Sequence, residues 1–98
     1  MPYLIETWDK PGHQVVRKEN RPTHLVFLEE NRGLLLACGA KLADDGTDAG
    51  GGIYIVDVET REEAERFIAA DPFSKADLFE RVCITRWRKA YLAGECCL

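Results

Sequence analysis

The sequence predicts an α+β domain in which two helices cover one face of a four-stranded antiparallel sheet. Short segments rich in β-branched and aromatic residues alternate with amphipathic segments, and turns that contain glycine or proline separate them. The length of 98 residues and the hydrophobic content of 46% suit a single domain over residues 1–98.

The first half of the chain predicts a strand, a helix and a second strand. Residues 3–8 alternate in character as a strand does. A helix is expected at about residues 15–32, with a kink or restart at Arg21-Pro22 and a left-handed stop at Gly33. Residues 34–42 are short and apolar, which predicts the second strand.

The second half predicts two further strands around a capped helix. Residues 44–51 are rich in aspartate and glycine, so we expect a mobile connection that can cover a site, followed by a strand at 52–58. Thr60 and Glu63 fit a capping box for a helix that ends near Ala70. Asp71-Pro72 is typical of a new helix start, here expected to reach about residue 79. A strand at 81–89 and a tail or extension at 90–98 complete the chain.

This β-α-β-β-α-β order is that of the ferredoxin-like fold. One face of such a sheet has no helices on it. Apolar residues on both sides of the second and third strands suggest that a second copy buries this open face. We therefore expect a homodimer in which two sheets meet, with packing of the dimeric α+β barrel type.

The charge and hydropathy of the chain indicate which classes of partner to expect. A net charge of -4 and a pI near 5.1 argue against nucleic acid, because phosphate binding needs a basic face. The basic run Arg86, Arg88 and Lys89 favours the solvent side of a strand over an anion site. No segment has the length and apolar character of a membrane span or a signal core, so a cytoplasmic protein without a membrane partner is expected.

The cysteines suggest reduced thiols. Cys38 and Cys83 fall in predicted strands, and Cys96-Cys97 lies at the chain end, where intermolecular oxidation and simple fraying are both open. Gly50 to Gly52 is expected to form a turn and not a nucleotide-binding loop, since no helix follows it. With no cluster of metal ligands either, we expect neither a metal nor a cofactor.

Histidine is the side chain that most readily exchanges protons near neutral pH, and the chain has two. His13 lies in a turn beside Pro11-Gly12, where a solvated role is favoured. His24 follows Arg21 by about one helical turn, so ring and guanidinium can face a common cavity. Position alone favours a structural histidine at a helix boundary.

Asp71 has a comparable structural explanation. An aspartate directly before proline at a helix start favours a cap on free backbone amides. Its two oxygens can also cap and orient a histidine ring at once. Ser74 can cap or line the same pocket, and Tyr3, Tyr54 and Trp87 can provide apolar walls or belong to the core or an interface.

Several segments together resemble the YciI-like, or YCII-related, family. They are Arg21-Pro22-Thr23-His24-Leu25, Gly39 after the second strand, the capped second helix, and Ala70-Asp71-Pro72-Phe73. The resemblance runs over nearly the whole chain and implies a dimeric ferredoxin-like protein with a histidine–aspartate pair at the active site. That pair maps onto His24 and Asp71 and reverses the structural preference for His24. Gly39-Ala40 in place of Gly-Pro, and Asp77 where glycine is common, depart from the family pattern.

The leading functional hypothesis is a cofactor-independent enzyme acting on a small cyclic or aromatic substrate by elimination, dehydrochlorination or isomerisation. The family includes a dehydrochlorinase of a chlorinated, hydroxylated ring. In this hypothesis His24 exchanges the proton, Asp71 orients its ring and Arg21 attracts an anionic oxygen, with Ser74 nearby. A dimeric module that binds a small ligand without catalysis is the alternative, and an oxygenase acting on a phenol is a third hypothesis.

Overall fold

Alternating apolar residues place the first strand at the centre of the sheet in the computed structural model, which describes residues 1–98. A 3-10 turn at Arg32–Leu34 joins the first helix to the second strand. In chain order the elements are β1 (Tyr3–Asp9), α1 (Gln14–Glu30), β2 (Leu35–Leu42), β3 (Asp48–Val56), α2 (Arg61–Ala70), α3 (Pro72–Lys75), β4 (Phe79–Arg86), β5 (Tyr91–Leu92) and β6 (Glu95–Cys96).

The sheet has the order β2-β3-β1-β4, and every neighbouring pair is antiparallel. This is the ferredoxin-like arrangement, so the predicted fold class is confirmed. β5 and β6 form a separate two-stranded hairpin after the sheet. No helix of the structure is long and apolar enough to cross a membrane.

The core lies between the sheet and α2. Tyr3 and Ile5 of β1 face the same side as Tyr54 and Val56 of β3, because the register pairs Tyr3 with Val56 and Ile5 with Tyr54. The helix packs its own apolar stripe on these residues through Ala64, Phe67 and Ile68.

The start of α2 has the predicted cap. The Thr60 hydroxyl accepts a hydrogen bond from the Glu63 backbone N–H at 3.2 Å and donates to the Glu63 carboxylate at 3.1 Å.

Helix α1 differs from the prediction at two points. It continues through Pro22 without a restart. Proline removes one backbone donor, but the helix keeps bonds beside it, including one from the Thr23 hydroxyl to the Asn20 carbonyl at 2.9 Å. It ends at Glu30, and the next residue, Asn31, donates its backbone and side-chain N–H groups to the Phe27 carbonyl. Gly33 lies in the 3-10 turn and has no positive φ, so the left-handed stop expected there was wrong.

The glycine run belongs to a strand and is not a turn. β3 begins at Asp48, four residues before the predicted start, and the connection is limited to residues 43–47. A Cβ on Gly51 would lie only 2.1 Å from the Thr7 carbonyl oxygen of β1, and Gly51 has a φ of +151°. Glycine is therefore needed here so that the two strands can approach closely. The sequence predicted a turn because glycine is also common in turns.

The last predicted elements shift in position. α3 stops at Lys75 and not near residue 79, and β4 occupies residues 79–86 in place of 81–89. Between them Asp77 has a φ of 56°, a left-handed conformation that ends α3. This conformation explains why glycine suits the position.

The sheet face opposite the helices is the open face. Leu4, Ile53 and Ile55 alternate with buried residues of β1 and β3 and so point to this side, where Ile53 is 39% exposed. Trp8 lies on the same face, with the ammonium of Lys41 4.0 Å and the guanidinium of Arg81 4.6 Å from its ring centroid. This face is thus part apolar and part cationic.

Candidate active site

His24 and Asp71 are in direct contact although 47 positions separate them in sequence. The Nδ1 atom of His24 lies 2.9 Å from each carboxylate oxygen of Asp71. His24 is the buried residue of α1, and Asp71 sits at the junction of α2 and α3 with no exposed surface. The structure therefore brings together the two residues that the sequence singled out.

Asp71 also caps a helix, so its two predicted contacts coexist. Its Oδ1 accepts from the backbone N–H of Phe73 at 2.9 Å, and its Oδ2 accepts from the hydroxyl of Tyr54 at 2.8 Å. Together with His24, three donors surround one buried carboxylate, so its oxygens have hydrogen-bond partners from three elements.

The Asp71 contact determines the histidine tautomer. An ionised carboxylate can only accept, so the proton of a neutral His24 ring belongs on Nδ1. The other nitrogen, Nε2, then carries the lone pair, and no protein group bonds to it. The ring is arranged to accept a proton at Nε2.

Tyr54 is a polar member of this cluster, whereas the sequence suggested an apolar wall or a core or interface residue; it does lie in the core. Burial first, and then the charge and hydrogen bond of Asp71, raise the pKa of Tyr54. The hydroxyl therefore stays protonated and acts as a donor to the carboxylate. A tyrosine at an inward-facing position of a central strand needs a hydrogen-bond partner for its hydroxyl. That position is the one sequence feature that could have identified Tyr54 as part of a polar cluster.

Phe73 and Arg17 support the histidine ring from the side. The Phe73 ring stacks on His24 with centroids 4.0 Å apart and an interplanar angle of 16°. Arg17 lies over the Phe73 ring at 4.6 Å, and Asp9 holds its guanidinium through bonds of 2.5 and 3.1 Å. These contacts restrict the orientation of His24.

A cavity of about 230 Å³ opens beside the ring and is called the His24 cavity below. Gly39 and Ala40, where the sequence departs from the family pattern, belong to its lining. The other lining side chains that matter for chemistry are those of Arg17, Arg21, His24, Cys38, Tyr54 and Phe73.

The remaining predicted residues fall in different places. Arg21 is exposed and lines the His24 cavity without an ion-pair partner. Ser74 does not line it, because its hydroxyl donates to the Ile68 carbonyl at the end of α2 at 2.6 Å. His13 lies in the turn before α1, with Nδ1 3.0 Å from the Pro11 carbonyl. No group of three His, Cys, Asp or Glu side chains is placed to hold a metal ion.

Cys38 contributes a thiol to the same cavity. Its position in β2 opposite Tyr54 places it on the helix-facing side of the sheet. Desolvation first, and the charge of Asp71 second, raise its pKa to about 11. At neutral pH the cavity therefore contains a neutral thiol and not a thiolate.

The sequence of this chain is similar to one known domain family and to named bacterial proteins. Residues 1–88 match the YCII-related domain family. The protein YciI of Escherichia coli O6:H1 is 32% identical over 98 residues, covering 93% of this chain and all of that protein. Protein YciI of Shigella flexneri matches to the same extent.

Two solved structures extend the comparison. The 5-chloro-2-hydroxyhydroquinone dehydrochlorinase TftG from Burkholderia phenoliruptrix AC1100, solved with 2,5-dihydroxybenzoquinone, is 36% identical with a TM-score of 0.84, and the match covers 90% of this chain and 94% of TftG. An ethyl tert-butyl ether D family protein from Bacillus halodurans C-125 has a TM-score of 0.50 at 14% identity, over 90% of this chain and 99% of that one. The second likeness shows the fold alone.

The hydrogen bond from Tyr54 to Asp71 predicts a measurable loss of stability on its removal. Tyr54→Phe should lower the free energy of unfolding in urea at pH 7 by about 2 kcal/mol, because a buried carboxylate loses a donor. Tyr3→Phe is the matched control, since Tyr3 is also buried in the core but its hydroxyl bonds to no protein group. Equal losses in the two variants would contradict this account.

The raised pKa of Cys38 predicts slow alkylation. In a variant with serine at positions 83, 96 and 97, the rate with iodoacetamide should stay well below that of N-acetylcysteine at pH 8 and rise about tenfold per pH unit towards pH 11. Adding Asp71→Asn should shift the profile to lower pH, because a negative neighbour is removed. Reaction at pH 8 as fast as that of N-acetylcysteine would refute the prediction.

Proposed function

This chain belongs to the YCII-related domain family, and from that premise we propose that it is a cofactor-independent enzyme of the lyase type acting on a small hydroxylated ring. The dehydrochlorinase activity named for TftG is the precedent among similar proteins. The observation that carries the proposal is the contact between His24 Nδ1 and Asp71, which leaves Nε2 as the ring nitrogen available to a ligand.

In this proposal His24 is the general base and Asp71 its orienting partner. Nε2 takes a proton from a hydroxyl of the ring in its keto tautomer, in which the carbon that bears the leaving group is saturated. The freed electron pair forms a C=O bond, the adjacent ring double bond shifts towards the saturated carbon, and the leaving group departs with its own pair. Asp71 stabilises the imidazolium that results. The proton then passes to water, so a chlorinated substrate loses HCl overall.

Arg21 is proposed to stabilise negative charge on the substrate. It lines the His24 cavity and makes no ion pair, so its guanidinium is free to pair with an oxygen that becomes anionic when His24 takes the proton. In this proposal Ser74 does not contact the substrate. Its hydroxyl bonds to the end of α2 and so helps to position Asp71.

The size and lining of the cavity support a single-ring substrate. Its volume of about 230 Å³ is below the range of roughly 300–1,000 Å³ that accommodates drug-sized ligands. Leu25, Leu28 and Phe73 supply apolar surface for a ring face, while His24 and Arg21 supply the polar groups.

We also propose that the open face of the sheet forms a homodimer. Leu4, Ile53 and Ile55 give this face an apolar area that water otherwise covers. Two copies meeting through their sheets would bury this area in both chains at once.

Replacement of His24 tests the proposed chemistry. Chloride release from 5-chloro-2-hydroxyhydroquinone should fall at least about 100-fold in His24→Ala, because the proton acceptor is lost. His13→Ala is the control, since that histidine does not line the His24 cavity. The assay is run without oxygen, so that turnover also separates elimination from an oxygenase reaction.

Two results would count against the enzyme. Unchanged turnover in His24→Ala would remove His24 from the mechanism. A ring compound that raises the melting temperature of the wild-type protein but is recovered unchanged would indicate a binding module in its place.

Replacement of Ile53 tests the dimer. Ile53→Asp should convert the wild-type dimer to a monomer in light scattering after size exclusion, because a buried charge opposes sheet-to-sheet contact. Val15→Asp introduces the same charge at an apolar residue of α1 that is 65% exposed, and should leave the mass unchanged. A monomeric wild-type protein would overturn this proposal.

A further inference from the structure

A second cavity, of about 440 Å³, adjoins the His24 cavity, and Arg17 and Arg21 line both. It lies between the first half of α1, the turn after β1 and the start of β3. It is called the basic cavity below, because its lining includes four cations, Lys10, Arg17, Lys18 and Arg21.

Two of the four cations already have partners. Asp9 holds Arg17 through two bonds, and Asp77 holds Lys10 at 2.6 Å. Lys18 and Arg21 make no ion pair, and both are exposed. They are three positions apart in α1, so their side chains lie on neighbouring parts of one helix surface.

The carboxylates of the lining leave an excess of positive charge. Asp9 is engaged by Arg17, and Asp48 is the only other acid among the lining residues. With Asp77 counted as the partner of Lys10, four cations face three carboxylates, a local excess of one positive charge in a chain whose net charge is -4. The local field therefore favours an anion.

The two cavities differ in the chemistry that they can accept. The His24 cavity has aliphatic and aromatic walls, and only one residue lining the basic cavity is hydrophobic. A carboxylate or phosphate in the basic cavity would find two cations without ion-pair partners and the Gln14 amide.

We propose that the basic cavity is a subsite for an oxyanion carried by the same molecule whose ring lies beside His24. Lys18 and Arg21 bind this group, and Arg17, held between Asp9 and Phe73, separates it from the ring. The inference rests on the proposed function for the ring site. It adds to the proposed class of small hydroxylated rings those that also bear a carboxylate or phosphate on a side chain.

Binding of non-reacting probes tests this subsite without any turnover assay. The probes are phenol and a series of phenols with a para carboxylate on zero to three methylene groups, measured by calorimetry at low salt. At least one carboxylated phenol should bind more tightly than phenol. Lys18→Gln removes a cation that lines only the basic cavity. It should weaken that probe about fivefold and phenol less than twofold, because an exposed ion pair contributes up to about 1 kcal/mol.

Arg66→Gln is the matched control, an exposed arginine of α2 outside both cavities. It should leave every probe unchanged. Inorganic phosphate should compete with the carboxylated probe and not with phenol, and a phosphorylated probe that binds more tightly would identify phosphate as the preferred group.

Three outcomes would overturn the subsite. They are a carboxylate that adds no affinity at any chain length, a Lys18→Gln variant that weakens phenol as much as the acid, and an equal loss in Arg66→Gln. Since none involves catalysis, failure here is distinct from failure of the His24 mechanism, which chloride release reports.

Discussion

The site depends on the hydrogen bonds that the buried carboxylate of Asp71 accepts. A charge with no exposed surface is tolerated only when donors satisfy it, and the donors come from α1, β3 and the first turn of α3. Satisfying one side chain therefore holds three elements in fixed relation. The histidine orientation is a by-product of a requirement that the fold has to meet in any case.

The same requirement explains why hydrogen bonds surround Asp71 while the other nitrogen of the His24 ring borders the cavity. Tyr54 donates a hydrogen bond to Asp71, which in turn contacts His24. The Phe73 ring stacks on the His24 ring. Arg17 is confined as well, since Asp9 and Phe73 both hold it. Arg21 has no such partner. The cavity is thus lined by one arginine with fixed partners and by one without an ion-pair partner.

The order of elements could be predicted from periodicity, because burying one face of each segment imposes a regular spacing of apolar residues in the sequence. The boundaries of the elements could be predicted less well. Gly51 resembles a turn residue in sequence but allows β3 to approach Thr7 of β1, and Pro22 resembles a break but lies inside a helix whose packing outweighs one lost bond. Each error arose because a local preference was overruled by a contact with a distant element.

The sequence by itself determined the fold class, the capped second helix and the two residues worth testing, since these depend on patterns within a few positions or on a family motif. Only the tertiary structure decided that Tyr54 and Arg17 belong to the site, that Ser74 faces away from the cavity, and that two cavities adjoin at Arg21. The physical reason is distance along the chain. Contacts between residues tens of positions apart are set by strand register and helix packing, which no short segment of sequence encodes.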